Sequence, residues 1–260
     1  MFGLDRCALV GMVHLLPLPG SPGYSGGGLD PIVAAAVRDG EALLAGGCDA
    51  ILVENMGDVP YLRGHVEPET VAAAAVATRA VVALGAPTGV QVLAGANREA
   101  LGVAIAAGAT FLRAEAFAYA HIADEGFLQA SAGPLLRARQ ALAANGIEVW
   151  ADVQKKHSSH AITDDLDLGE LAHGTAFCGA DALVITGLRT GAPTSLGDLK
   201  AAAGAGLPLV VGSGVTPEDA GALAKRAAAL IVGSYLKVDG DWRQPVDPAR
   251  VRALRAALPT

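Results

Sequence analysis

Pro208-Leu-Val-Val-Gly-Ser-Gly-Val-Thr-Pro-Glu-Asp219 packs an apolar β-branched run, a Gly-Ser-Gly turn and the opening of a helix into twelve residues. Thr216 suits the N-cap, Pro217 the first helical position and Asp219 the third, as in a capping box. Shortly after, Ala229-Leu-Ile-Val-Gly-Ser234 repeats the strand and its Gly-Ser ending. Outward from this pair the same alternation fills the chain. Strands are expected at Cys7–Leu15, Asp49–Met56, Gly89–Ala94, Thr110–Phe117, Glu148–Lys156, Ala182–Thr186, Pro208–Gly212 and Leu230–Ser234. Amphipathic helices are expected near 31–45, 68–84, 98–107, 131–144, 167–178, 196–203, 217–227 and 248–257. Several helix-to-strand joints share one form: Ala45-Gly-Gly-Cys-Asp-Ala50, Ala106-Ala-Gly-Ala-Thr110 and Cys178-Gly-Ala-Asp-Ala182. Glycine there supplies a left-handed helix C-cap. Alternating strands and helices with short joints imply a parallel sheet with right-handed crossovers. Eight units without a linker imply closure, so the expected fold is a single-domain (β/α)8 barrel over residues 1–260.

Composition agrees. Of 260 residues, 52% are hydrophobic and 17% charged, which excludes a disordered chain; with aromatics at 4%, the core must be aliphatic. A net charge of −7 without a basic run argues against nucleic-acid binding, so any affinity for phosphate must be local. No charge-free apolar run reaches the ~20 residues of a spanning helix. The richest segment, Val71–Pro87, is broken by Arg79 and Gly85, so no membrane insertion is expected. Cys7, Cys48 and Cys178 are widely spaced and form neither a C-x-x-C nor a zinc pattern. The N-terminus lacks a basic n-region before an apolar stretch, and a reduced, cytoplasmic protein is expected.

In a barrel of this kind, polar residues at strand C-terminal ends point into the mouth, where the active site lies. The glycines of the two Gly-Ser turns let an anion approach the backbone, serines add donors, and a helix N-terminus adds partial positive charge. Gly212, Ser213, Gly214, Gly233 and Ser234 are therefore expected to bind phosphate. The other strand ends carry a ring of ionisable and amide groups. His14, Glu54, Arg113, Glu115, Asp152 and Lys156 are expected in catalysis; Asn55, Gln91, Thr186, Thr190 and Gly191 in substrate binding. Asp152 interrupts an apolar strand and so needs a partner or a metal. Arg113 with Glu115 or Glu54 could equally be a structural ion pair, and His14 a core histidine. Lys155 and Lys156 fall on opposite faces, and spacing leaves open which one enters the mouth. No cofactor is fixed by these patterns. Glu54, Glu115 and Asp152 could hold Mg2+, whereas His14, His157 and His160 lack a zinc spacing.

Long loops follow three of the strands. His14–Gly28 offers Tyr24 as a closing residue; Met56–Val66 offers Asp58, Tyr61 and Arg63; Leu188–Thr194 carries Arg189 and Thr190 ahead of Gly191. Extended loops at the mouth line or cover the site in this fold.

Gly11-Met-Val-His-Leu-Leu-Pro-Leu-Pro-Gly-Ser-Pro22, Asp49-Ala-Ile-Leu-Val-Glu-Asn-Met-Gly-Asp-Val-Pro60, Lys156-His-Ser-Ser159, Val211-Gly-Ser-Gly-Val-Thr-Pro217 and Ile231-Val-Gly-Ser-Tyr-Leu-Lys-Val-Asp-Gly-Asp-Trp242 together resemble the BtpA/SgcQ family across nearly the whole chain. The resemblance implies a TIM-barrel fold of predicted-enzyme type. One branch is named for photosystem I biogenesis, and another lies among sugar-metabolism genes. Three places depart from the family pattern: Gly95-Ala-Asn-Arg98 for Arg-Asn-Asp, Glu115 for Asn, and Gln154-Lys155 for His-Val.

The expected function is acid–base chemistry on a small phosphorylated metabolite, a phospho-sugar or nucleotide-like compound, as a lyase, isomerase or transferase. Asp152 or Glu54 would be the base; His14 or Lys156 would be the acid or the oxyanion stabiliser, with a Schiff base at Lys156 as a variant. The alternative is a non-catalytic assembly or stability factor for a membrane complex, with Leu15-Leu-Pro-Leu-Pro19 as its partner surface. Apolar outer helices such as Val71–Ala86 suggest a homo-oligomer.

Overall fold

The structure, a computed structural model, describes residues 1–155, 158–187 and 194–259. In chain order its elements begin β1 (Ala8–His14), α1 (Asp30–Gly46), β2 (Ala50–Glu54), α2 (Pro68–Val82), β3 (Thr88–Gln91), α3 (Asn97–Ala107) and β4 (Phe111–Ala114). A hairpin follows, β5 (His121–Ala123) and β6 (Gly126–Leu128), then α4 (Ala132–Ala141), β7 (Glu148–Asp152) and the short β8 (Ser158–Ser159). The chain closes with α5 (Leu168–Phe177), β9 (Ala182–Ile185), α6 (Leu196–Ala202), β10 (Leu209–Val211), α7 (Pro217–Ala224), β11 (Ala229–Val232) and α8 (Pro248–Ala256). Eight parallel strands form a closed barrel in the order β1-β11-β10-β9-β7-β4-β3-β2. The (β/α)8 expectation is met.

Period-two alternation sorts every barrel strand into an outward and an inward set. Leu9 and Val13 of β1, Ile51 and Val53 of β2, and Leu183 and Ile185 of β9 face the helices and join the outer core. Ala8, Val10, Met12, Ala50, Leu52, Phe111, Trp150, Ala182, Val184, Val210, Ala229 and Ile231 fill the barrel itself. At the N-terminal end Phe111 and Trp150 stack at 4.0 Å, and Phe2 packs on both. Gly89 makes room for that stack, since a Cβ there would lie 2.2 Å from the Phe111 ring.

The recurrent joints work as the sequence suggests, with an added role for their aspartates. Gly47 (φ 101°) and Gly108 (φ 79°) end α1 and α3 in the left-handed conformation. Asp49, just before β2, accepts the Leu9 N–H (2.8 Å) and pairs with Arg6; Asp181, just before β9, accepts the Val149 N–H (2.8 Å) and pairs with Arg139. Each aspartate thus fixes the start of its own strand to the strand beside it. The buried Lys237 ammonium pairs with Asp39 on α1, whose other oxygen takes the Val246 N–H (2.9 Å), so the segment after β11 is fastened to the helix ring. Thr216 does cap α7, with Pro217 behind it, but its hydroxyl donates to Asp219 Oδ2 (3.2 Å) rather than receiving a backbone N–H.

Two expectations need correction. Strands end earlier than their apolar runs: β4 stops at Ala114 and β7 at Asp152, so Glu115, Gln154 and Lys155 lie in loops. Residues 121–128 form the β5–β6 hairpin, which pairs with β8 in a separate antiparallel sheet ordered β6-β5-β8. No helix among the described residues is long and apolar enough to cross a membrane. On α2, Ala73, Ala74, Ala77 and Val81 are buried while Val76 is exposed, so most of the apolar stripe offered for oligomerisation is covered within the monomer.

Candidate functional site

The inward alternation, continued to the C-terminal end of each strand, places one residue per strand on the rim. Met12 leads to His14, Leu52 to Glu54, Gly89 to Gln91, Phe111 to Arg113, Trp150 to Asp152, Val184 to Thr186, Val210 to Gly212 and Ile231 to Gly233. The parallel register sets neighbours side by side, His14 against Glu54 and Glu54 against Gln91. Six polar side chains and two glycines therefore crown an aliphatic barrel.

The glycines have a steric reason. A Cβ at Gly212 would come 2.5 Å from Val184 Cγ1 and 3.3 Å from Arg113 Nη2; one at Gly233 would come 3.1 Å from His14 Nε2. Their absent side chains leave space for the charged groups opposite. The result is a cavity of about 440 Å3 lined by Gly212, Ser213, Gly214, Thr216, Gly233 and Ser234 on one side. His14, Glu54, Gln91, Arg113, Glu115 and Lys155 line the remainder, together with Tyr61, Asp124 and Glu125. In the strand order, β11 lies four places from β4 and β10 four places from β3. The Gly-Ser loops therefore face Gln91, Arg113 and Glu115 across the mouth.

Asp152 sits below this surface. Its Oδ1 accepts from Arg113 Nε (3.2 Å) and Nη2 (3.0 Å), while Arg113 Nη1 reaches the Gly212 carbonyl (3.5 Å). Burial opposes the Arg113 charge, but Asp152, Glu54 and Glu115 outweigh it and raise its pKa. The guanidinium thus stays charged beside the glycine turn. Asp152 does not line the cavity, which corrects the expectation that it meets substrate; it orients Arg113.

Glu115 lines the mouth as a carboxyl with a raised pKa. It is 4% exposed, and burial pushes its pKa up to about 7 despite the nearby Lys155, with Asp152 adding to the rise and Arg113 opposing it. Lys155 Nζ lies 3.5 Å from Glu115 and 3.1 Å from Glu125. Burial would lower the Lys155 pKa, but Glu115 and Glu125 raise it, so the ammonium persists. His14 lies between two acceptors, the Trp242 carbonyl at 3.3 Å from Nδ1 and Glu54 Oε2 at 3.8 Å from Nε2. Only the Trp242 carbonyl is within hydrogen-bond distance; the Glu54 contact is a longer electrostatic one.

Other expected residues fall elsewhere. Asn55 follows Glu54 and so points away from the mouth: its Oδ1 accepts the Leu93 N–H (2.7 Å), and its Nδ2 donates to Asp58 (2.9 Å). Asp58 in turn accepts the Leu18 N–H (2.8 Å). Both residues brace loops rather than meeting a ligand. Thr186 is buried below the rim and donates to the Gln154 carbonyl (2.7 Å). Tyr24 packs against the outer core, and its hydroxyl accepts the Gly28 N–H (3.2 Å); the tyrosines that line the mouth are Tyr61 and Tyr235. Lys156, His157, Arg189, Thr190 and Gly191 lie outside the described residues. The Mg2+ candidates Glu54, Glu115 and Asp152 all act on the charge of Arg113, and among the described residues no group of three His, Cys, Asp or Glu is placed to hold a metal. Lys155, left open against Lys156 by spacing, lines the mouth, whereas Asp124 and Glu125 were not anticipated; their signal was Asp124-Glu125-Gly126 between short flanks, the turn of a hairpin.

The family model described as BtpA family matches residues 5–259. The chain belongs to the BtpA family. This BtpA-family chain is 38% identical to a Caenorhabditis elegans protein named as mitochondrial, over 95% of the chain and 91% of that protein. It is 34% identical to the photosystem I biogenesis protein BtpA of Synechocystis, over 96% of the chain and 87% of the relative. Its fold is similar to two solved enzymes. Thiamine phosphate pyrophosphorylase from Pyrococcus furiosus matches with TM-score 0.57 and 18% identity, covering 97% and 96% of the two chains. The 2-keto-3-deoxy-6-phospho-gluconate aldolase from Zymomonas mobilis matches with TM-score 0.54 and 17% identity, covering 97% and 92%.

Proposed function

We propose that this BtpA-family barrel is an enzyme that holds a small phosphorylated metabolite by its phosphate and moves a proton at its other end. One observation carries the reading: Gly212-Ser213-Gly214 and Gly233-Ser234 line the same cavity as Glu115 and Lys155, with Glu115 after the strand across the barrel from β11. The loops after the last two barrel strands are where this fold commonly binds phosphate. Backbone N–H groups, the Ser213 and Ser234 hydroxyls and the start of α7 would meet the anion, with Arg113 close by. Glu115, with a pKa of about 7, can give or take a proton near neutrality, and the Lys155 ammonium can stabilise an oxyanion formed beside it. Glu54 and His14 stand 3.8 Å apart on neighbouring strands and would complete the polar rim around the substrate. Lyase, isomerase and transferase steps all fit.

The test is calorimetric titration with inorganic phosphate, followed by turnover assays on phosphorylated metabolites. Wild-type protein should bind phosphate saturably, and Ser213→Asp should abolish binding by placing a carboxylate in the loop. Glu115→Gln should bind phosphate and lose turnover. Absence of saturable phosphate binding, or equal binding by Ser213→Asp, would remove the basis of the proposal.

The second reading, an assembly factor for a membrane complex, draws on the name of the Synechocystis relative, a photosystem I biogenesis protein. The loop offered for it buries Leu15 and Leu18 and exposes Leu16. A pull-down with Leu16→Asp that loses partners while phosphate binding is retained would favour that reading.

A further inference from the structure

The walls of the cavity differ in hydrogen-bonding character, and the difference specifies the ligand beyond its phosphate. Four carboxylates line the same cavity as the Gly-Ser loops: Glu115, after the strand across the barrel from β11, with Glu54, Asp124 and Glu125. Asp124 and Glu125 form the two-residue turn of the β5–β6 hairpin, an insertion after β4 that reaches over the mouth. Gln91 lies among them, 2% exposed, and its Oε1 has no hydrogen-bond partner among the described residues. A buried amide oxygen left without a donor costs free energy, and the packed core offers nothing to relieve it. Glu115 Oε2 is likewise buried without a hydrogen-bond donor, although Lys155 lies 3.5 Å away. An amide presents an acceptor oxygen and a donor NH2 group on a rigid plane. Adjacent hydroxyls complement it, one donating to the oxygen and the other accepting from the nitrogen. Carboxylates accept hydroxyl donors and repel a second anion.

We infer that Gln91 and the hairpin turn Asp124-Glu125 select a phosphorylated polyol, a sugar phosphate bearing vicinal hydroxyls, and reject phosphorylated acids. This rests on the phosphate reading above, and it assigns Gln91 as a specificity-determining residue. The site is matched at both ends: a glycine-lined pocket beside the Arg113 guanidinium for the dianion and an acceptor-rich wall for the hydroxyls.

Calorimetric titration of full-length protein with inorganic phosphate, a pentose 5-phosphate and 3-phosphoglycerate tests it. The pentose phosphate should bind at least tenfold more tightly than inorganic phosphate, and 3-phosphoglycerate no more tightly than inorganic phosphate. Gln91→Met, close in volume, should lower pentose-phosphate affinity at least fivefold while inorganic phosphate affinity stays within twofold. Asp124→Asn, in the hairpin turn, should act in the same direction and guards against misfolding of the Gln91 variant. If wild-type protein binds inorganic phosphate without preferring the pentose phosphate, or prefers the phosphorylated acid, the polyol inference is overturned and the phosphate reading survives. Unchanged affinities in both variants would overturn it as well. If inorganic phosphate does not bind at all, both readings fall together.

Discussion

Replacing Glu115 with Gln should stabilise the protein above neutrality and leave it little changed in mild acid. In the folded chain the Glu115 carboxyl is buried and its pKa stands at about 7, against 4.5 for an ordinary glutamate. Between those values the folded protein keeps a proton that the unfolded chain has lost. Stability therefore falls as pH rises through this window, and above it the cost is constant because both states are ionised. At ~1.36 kcal/mol per pH unit, the cost reached by pH 8 is roughly 3 kcal/mol. Glutamine keeps the shape and does not titrate. The difference in unfolding free energy between Glu115→Gln and wild type should accordingly grow by roughly 2–3 kcal/mol from pH 5 to pH 8. For a chain of this size, that is a relative gain of about 5–10 °C in Tm. Urea denaturation of both proteins at several pH values reads this difference, and comparison across pH cancels any constant packing effect of the amide. A gap that stays flat from pH 5 to pH 8, or that moves toward wild type as pH rises, would refute the assignment of a raised pKa to Glu115. The reasoning about proton transfer in the mouth would lose its main support with it.

The remaining predictions concern the frame of the site. Gly89→Ala should cost about 1–3 kcal/mol in chemical denaturation, because its methyl would overlap the Phe111 ring, and Phe111→Leu in the same chain should recover part of the loss. Lys237→Met should cost about 3–5 kcal/mol by leaving Asp39 buried with an uncompensated charge, and adding Asp39→Leu should restore much of it. In native protein the exposed Cys178 should react with a thiol reagent while the buried Cys7 and Cys48, whose pKa values burial raises to about 11 and about 12, should react only after unfolding. More than one rapidly reacting thiol per chain would contradict the packing described for the barrel base and α1.

Much of the site was legible because a barrel strand has only two faces. Once Val10 and Met12 are assigned inward, His14 must follow them, and the same count reaches Glu54, Gln91, Arg113 and Asp152. The count also separates Glu54 from Asn55, whose opposite face makes it a loop brace rather than a ligand group. It fails where the ladder ends. Beyond Asp152 the backbone is no longer held in a strand, so alternation no longer says which of two consecutive lysines enters the mouth; among the described residues Lys155 lines it. Depth is also invisible to it: Asp152 and Thr186 have the inward phase yet lie beneath the cavity, covered by Arg113 and by the loop that carries Gln154. The β5–β6 hairpin escaped because three-residue strands carry too few side chains to establish a period.

By itself, the sequence determined the barrel, its eight parallel strands, its aliphatic filling and the two glycine turns at its rim, because these follow from local periodicity and turn chemistry that short stretches encode completely. Only the tertiary structure decided that Arg113 spans from Asp152 to Gly212, that Lys155 bridges Glu115 to an inserted hairpin, and that burial brings a glutamate to a pKa of about 7. Those properties depend on distances between residues far apart in the chain and on the removal of water from around them, and neither is set until the barrel closes.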